Sequence, residues 1–284
     1  MTFLVLIMGL LILRFHGHAQ SVQKDSWFRG WTRSVENWSR LRHDSAQALL
    51  IILVPVALLA LLLWLVRDLS LVRFTISLIV LLYSFGRGDL GAQLDDYCDA
   101  AKRGDTQAAY HELTPINRFD SGATDWLELQ QELAAGLPYR LFEREFAVVF
   151  WFAVLGPAGA LLYRLAWLRA AQLMESSQPT PGRLDVWSGS RLLALLEWLP
   201  ARLLIPTLAI VGNFTPVMQL AGRLCLGSYP AATLLAILVQ TASGWRARDL
   251  DFDSERDVIA GIQALMRRAL VLWVLIVAVW VLLA

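Results

Sequence analysis

Arginine, glutamate and tryptophan crowd one stretch of this chain: Arg140, Glu143, Arg144, Glu145, Trp151, Arg164, Trp167, Arg169, Arg191, Glu197, Trp198 and Arg202. A guanidinium is a planar fork of donors that fits phosphate or carboxylate two bonds at a time. Set among apolar runs, the cluster points to a pocket for an anionic ligand such as a lipid or sugar phosphate. Arg164, Arg191, Arg202, Glu197 and Trp198 would build it, with Arg140 and Glu143 at the rim. The competing reading is structural: Trp and Arg anchor in the headgroup layer while Arg–Glu pairs close internally.

Other chemistry is poorly supplied. Cys98 and Cys225 are far apart and in no CxxC pattern, and His16, His18, His43 and His111 show no metal spacing beyond His16-x-His18. There is no GxxxxGK[ST] phosphate cradle, and no nucleophilic triad or carboxylate dyad assembles. Asp249, Asp251, Asp253, Glu255 and Asp257 alternate like the odd positions of a calcium loop, but Ser254 and Ala260 stand where the glycine and the bidentate glutamate are needed. They read as a solvated face that charges a helix N-terminus. Arg87-Gly-Asp89 reads as a surface turn with a local ion pair.

The elements that must position the cluster are membrane helices. Of 284 residues 57% are hydrophobic and 17% charged, against about a quarter charged in soluble domains. A net charge of +1 leaves no global field for nucleic acid. Met1 to Leu13 is apolar but short for a crossing, an anchor or half-span. Asp44-Ser-Ala-Gln47 supplies capping residues before the apolar run Ala48 to Val66, which carries Pro55, and a return at Arg67 to Arg73 leads into Leu69 to Phe85. These two runs form a helical hairpin. Gly86 to Glu145 turns polar, with 12 acidic and 6 basic residues; helix starts at Asp105-Thr106 and Asp125 and a stripe of Trp126, Leu129, Leu133 and Leu137 make it a small helical domain. Its core is too small to stand alone.

Phe146 to Tyr163 is a third run, interrupted by Gly156-Pro157. Glu197, Pro200, Arg202 and Pro206 interrupt Leu192 to Val211, and Arg223, Gly227 and Pro230 interrupt Val217 to Val239. Charges cost about 2.5 to 3.5 kcal/mol each at the centre of an inserted helix, so these segments face protein, water or the interface. The helix from Glu255 begins amphipathic, passes Arg267-Arg268 and ends as the apolar span Ala269 to Ala284. The six Lys/Arg of Arg14 to Arg42 place that segment in the cytoplasm and the Arg67 to Arg73 turn outside. A re-entrant third segment would keep the following arginines inside, and broken backbone at depth is tolerated where protein or a wet cavity covers it. The expectation is an all-α integral membrane protein with about four transmembrane helices, further broken or re-entrant helices and a small cytoplasmic helical domain. Its parts are 1–85 (anchor and hairpin), 86–145 (cytoplasmic helices), 146–245 (broken-helix region with the cluster) and 246–284 (amphipathic helix continuing into the last span).

Two blocks, Phe150-Trp-Phe with Gly156-Pro-Ala-Gly-Ala-Leu-Leu-Tyr163-Arg164, and Trp198-Leu-Pro-Ala-Arg-Leu203, resemble the CbiB/CobD membrane superfamily of cobalamin-pathway synthases. The departures matter. Trp167-Leu-Arg-Ala170 replaces the family's Asn-Thr-Leu-Asp, its Asp-Asp pair falls on Leu193 and Ala194, and its asparagine before the second block is Glu197. The acidic and asparagine residues expected before the third run have become Tyr139, Arg140 and Glu143. Loss of groups that would handle metal and phosphate argues against the synthase activity. The AmpE branch lacks them too, and the chain resembles it nearly end to end through YSFGRGDL, RGDTQAAYHEL and FEREFAVVFWFAVLGPAGALLYRL. That resemblance implies a protein of the bacterial inner membrane, tied to β-lactamase induction and cell-wall recycling. Implied partners are membrane lipids, a cell-wall-derived or phosphorylated amphiphile, and a protein partner or second copy. An ATP role suggested for the family finds no motif here. The alternative is a membrane enzyme with CbiB-like amide-ligation or phospho-ligand chemistry, which would need Glu143, Glu145 and Glu197 to gather around a metal.

Overall fold

The computed structural model describes residues 2–16, 25–38, 44–86, 90–117, 126–176, 191–227, 229–245 and 255–283. The Arg-Gly-Asp turn at 87–89, His18, His43 and residues 249–254 lie outside them. All regular structure among the described residues is helical. Three helical stretches are long and apolar enough to cross a membrane: Trp126–Leu173, Arg191–Val211 and Glu255–Trp280. Phe3–Leu13, Leu49–Leu65, Ser70–Ser84 and Ala231–Ser243 are shorter apolar helices. The all-α membrane reading holds.

The chain forms two compact units. Unit 1 comprises Met1–Gly88 and Val148–Ala171. In it α1 (Thr2–His16) packs on α4 (Ser70–Ser84), and α2 (Ser26–Trp38) packs on α3 (Asp44–Leu65). Helix α3 begins at the Asp44 signal and carries Pro55 inside it. Proline has no N–H, so the carbonyl of Ile51, four residues back, loses its helical donor. Trp31 of α2 replaces that donor: its Nε1 lies 3.0 Å from the Ile51 oxygen. In apolar surroundings an unmet carbonyl costs several kcal/mol. A residue that weakens α3 thus creates the acceptor that fastens α2 to it.

The sequence reading left α2 inside a basic segment. Its signal was the spacing of Phe28, Thr32 and Val35, all buried, against exposed Arg29 and Arg33. Two further links hold it. Tyr83 Oη donates to Asp25 Oδ1 and accepts from Trp27 Nε1, each at 3.1 Å. Arg169 Nη1 donates to Glu36 Oε1 at 2.8 Å.

Helix α8 (Ala147–Ser176) contributes its residues Val148–Ala171 to unit 1. Gly156 has φ 68° and ψ −155°, a region essentially confined to glycine. Pro157 then starts the second half of the helix, where its missing N–H costs least. The turn folds the backbone so closely that a Cβ on Gly159 would stand 2.3 Å from the Trp151 carbonyl oxygen. The expected break is real, and it is local: α8 resumes at once and carries Arg164 and Arg169 within one helix.

Unit 2 comprises Asp89–Ala147 and Gln172–Ala284. It holds α5 (Leu90–Lys102), α6 (Thr106–Asn117), α7 (Trp126–Leu141), α9 (Arg191–Val211), α10 (Phe214–Leu226), α11 (Ala231–Ser243) and α12 (Glu255–Leu283). Asp105 caps α6, its Oδ1 accepting from the Ala108 N–H at 3.0 Å. Leu129, Leu133 and Leu137 are buried as their spacing requires. The polar helices do not close on themselves: α6 packs on α7, and α7 packs on α11 and α12, so the small core is completed by apolar helices of the same unit. The apolar segment after Val211 is divided at Gly227 and Pro230 into α10 and α11.

One expectation is overturned here. Glu255 was read as part of a solvated acidic face, but it is buried, accepting from Tyr97 Oη and, at 2.9 Å, from Gln130 Nε2. Helices α5 and α7 supply these donors to the first residue of α12. The solvated role falls instead to its neighbour Arg256, which reaches Asp95 at 3.3 Å and Asp99 at 3.5 Å on the surface.

Candidate functional site

The charged cluster is built where α7 meets a π-helical turn. Phe142–Phe146, sequence FEREF, is wound as π-helix, and the Ala147 N–H closes onto the Phe142 oxygen. The extra residue per turn rotates the helix face, placing Phe142, Glu143 and Phe146 inside and leaving Arg144 and Glu145 partly exposed. Single π-turns inside helices are frequent at functional sites. Just before it, Arg140 forms an ion pair with Glu143, both side chains nearly inaccessible. Tyr139 Oη donates to Glu197 Oε1 of α9 at 2.8 Å. The Phe146 ring meets Trp273 of α12 edge to face, with centroids 5.5 Å apart.

Helix α9 divides its candidates between two faces. Arg191, Trp198 and Arg202 are separated by seven and four residues and share one stripe, whereas Glu197 points elsewhere, towards Tyr139. Arg191 and Trp198 are exposed on that stripe; Arg202 and Glu197 are buried. Arg202 lies 4.4 Å above the Trp198 ring and spends three donors on backbone oxygens: Nε on Cys225 at 3.2 Å, Nη2 on Gly227 at 2.8 Å and Nη1 on Trp198 at 3.2 Å. Those of Cys225 and Gly227 belong to the C-terminal end of α10, which a helix leaves without internal donors. Arg202 therefore positions α10 and the Trp198 indole.

Six of the seven residues singled out from the sequence, Arg140, Glu143, Arg191, Glu197, Trp198 and Arg202, belong to unit 2. Arg164 belongs to unit 1. There it is buried, stacks on Trp167 with 4.5 Å to the ring centroid, and acts electrostatically on Tyr83. Sequence reasoning missed Tyr139 as a hydrogen-bonding partner and the Asp25–Tyr83–Trp27 set. The only advance signal for the former was the loss of a family polar residue at that position. Among the described residues no group of three or more His, Cys, Asp or Glu side chains comes together in a metal-holding arrangement.

The comparisons with known proteins agree with this architecture. Two cobalamin biosynthesis proteins CobD are similar over part of the chain. The one from Chromobacterium violaceum is 28% identical over 174 residues, 61% of this chain and 54% of that protein. The one from Stutzerimonas stutzeri is 26% identical over 185 residues, 65% of this chain and 56% of that protein. The matched region thus spans about half the length of these curated relatives. No solved structure gives a significant match. The family model described as regulatory signalling modulator protein AmpE matches residues 1–283. The chain, matched by that model over residues 1–283, belongs to the AmpE family.

Proposed function

We propose that this AmpE-family membrane protein is a regulatory sensor of the bacterial inner membrane, linked to β-lactamase induction and cell-wall recycling, that binds an anionic amphiphile in unit 2. The observation that carries the reading is the burial of Arg140, Glu143, Glu197 and Arg202 in helices apolar enough to cross a membrane. Ionisable side chains at such depth are expensive and mark ligand or ion pathways by default. The accessible part of the site is the α9 stripe. Arg191 would take the anionic head, Trp198 with exposed Leu195 and Leu199 would take the apolar part, and Arg202 would hold the indole in place. The Tyr139–Glu197 bond fastens the other face of α9 to α7, where Arg140 pairs with Glu143.

Native mass spectrometry of the purified chain with dioleoylphosphatidic acid, set against uncharged dioleoylglycerol, tests the binding. Retention should favour the phosphate lipid and fall about tenfold in Arg191→Gln, consistent with loss of one charge-assisted contact. Equal retention of both lipids sinks the reading. In cells, a variant that loses the lipid should change β-lactam-induced β-lactamase activity as deletion of the whole chain does.

The similarity to CobD proteins favours, as a second reading, a membrane enzyme with amide-ligation or phospho-ligand chemistry. It requires Glu143 and Glu197 to act on a substrate. Absence of turnover by the purified chain would remove it, and turnover unchanged in Glu143→Gln and Glu197→Gln would remove these two residues from it.

A further inference from the structure

Helix α2 has a job that packing alone does not explain. It is fixed at three points, by Trp31 on the Ile51 carbonyl, by Asp25 and Trp27 on Tyr83, and by Glu36 on Arg169. Its outer face presents Arg29, Arg33 and Glu36 at i, i+4 and i+7, all exposed. Neither guanidinium has an ion pair among the described residues, whereas Glu36, the acidic residue of the helix, is engaged by Arg169. The outer face is therefore a local cationic surface on a chain whose net charge is only +1.

The attachment points fix its level. Ile51 lies about 20 Å along α3 from Leu65, and Tyr83 about 20 Å along α4 from Ser70, at 1.5 Å per residue. Both points are thus equally far from the exposed Arg67-Asp68 turn that joins the two apolar helices. If that turn stands at one boundary of a hydrocarbon core of about 30 Å, α2 meets the two helices about 10 Å short of the other. That is the depth at which an amphipathic helix lying in a membrane surface buries its apolar face. Trp27, 45% exposed with its indole N–H held by Tyr83, is a side chain of the type that gathers at this level.

We propose that α2 is an interfacial docking surface for anionic phospholipid in the leaflet opposite the Arg67-Asp68 turn, with Arg29 and Arg33 as the phosphate contacts. The occupant follows from charge and reach: two exposed guanidinium groups on a helix about 10 Å inside the boundary can extend along their stems to phosphate, and the fork geometry allows each two bonds to it. Because Trp31 closes the carbonyl that Pro55 opens, the lipid-facing helix is tied into the backbone of α3. This surface is independent of the unit 2 site.

The test uses the full chain in detergent with dioleoylphosphatidylglycerol or dioleoylphosphatidylcholine, bound lipids being counted by native mass spectrometry. Each charge near the surface should favour the anionic lipid about fivefold, so the Arg29→Gln/Arg33→Gln double variant should lose about 25-fold in preference. Arg29→Lys/Arg33→Lys should keep it, and Arg29→Gln alone should lose about fivefold if the double variant fails to fold. Unchanged preference in the glutamine variants overturns the proposal. So does a change of oligomeric state with lipid preference intact, which would assign the face to a second copy.

Discussion

Both units contain a proline-bearing apolar helix, and side chains fasten it differently in each. In unit 1 the carbonyl opened by Pro55 receives an indole N–H from α2, a neutral donor on a helix at the edge of the unit. In unit 2, α9 carries Pro200 and Pro206, and its side-chain hydrogen bonds link it to other helices of the same unit. Thr207 Oγ1 donates to the Leu203 oxygen at 2.9 Å and accepts from Trp273 Nε1 at 2.9 Å, while Arg202 ties Trp198 to the end of α10. Unit 1 buries Arg164 but leaves Arg29 and Arg33 of α2 exposed. Unit 2 buries its charges, each at a desolvation cost of several kcal/mol, and must therefore engage them with hydrogen bonds and ion partners. The contrast is between a unit whose α2 exposes two arginines and one in which Arg140, Glu143, Glu197 and Arg202 are buried.

The largest test of the contrast is Arg202→Ala. It removes a charged donor from the Cys225 and Gly227 carbonyls and a lid from Trp198, and should lower unfolding stability by about 3 kcal/mol. Arg202→Lys should recover little, because an ammonium cannot reproduce the fork. Thermal unfolding in detergent reads both; a lysine variant as stable as the parent would show that charge alone suffices. Gly159→Ala should be nearly as damaging, about 2 to 3 kcal/mol, since its Cβ meets backbone rather than a yielding side chain. Gly156→Ala has open space around its Cβ but the wrong φ, and should cost about 1 to 3 kcal/mol.

Trp31→Phe sharpens the unit 1 side. It deletes one N–H and should cost about 1 to 2 kcal/mol. The same change made in Pro55→Ala should cost close to nothing, because residue 55 then supplies the helical N–H itself. A double-mutant cycle measures the coupling, and additive effects would refute the repair.

The smallest effect concerns the polar end of unit 2. Burial and the neighbouring Glu255 carboxylate push the Tyr97 hydroxyl well above its ordinary range, and burial pushes the Cys98 thiol up to about 11. Both are acids whose folded pKa exceeds the unfolded value. Their contribution is thus complete below the ordinary thiol value of 9.0 and is lost as pH rises towards 11 for Cys98, and beyond that for Tyr97. Tyr97→Phe should cost about 1 kcal/mol at neutral pH through its bond to Glu255, and Cys98→Ala should flatten the thiol's part of the alkaline limb. Chemical unfolding at pH 7 and pH 10.5 distinguishes the two.

Much of this molecule was legible in one dimension. Apolar run length predicted helices α3 and α4, the acidic signals at Asp44 and Asp105 marked helix starts, and Gly156-Pro157 announced the break that φ 68° realises. These features depend on local propensity and on the thickness of a bilayer, both properties of short segments. The arginine and tryptophan cluster was visible as composition, but not its division: nothing local says that Arg202 turns onto the end of α10, that Glu197 meets Tyr139, or that Arg164 falls in a different unit. Glu255 misled for the same reason, since an acidic run looks solvated until α5 and α7 place Tyr97 and Gln130 against one member of it. The sequence by itself determined which segments are helical, where they break, and that the protein lives in a membrane. Tertiary structure alone decided which charges are buried and what each one touches, because a side chain's partner is set by helix packing over separations such as the 125 residues between Gln130 and Glu255.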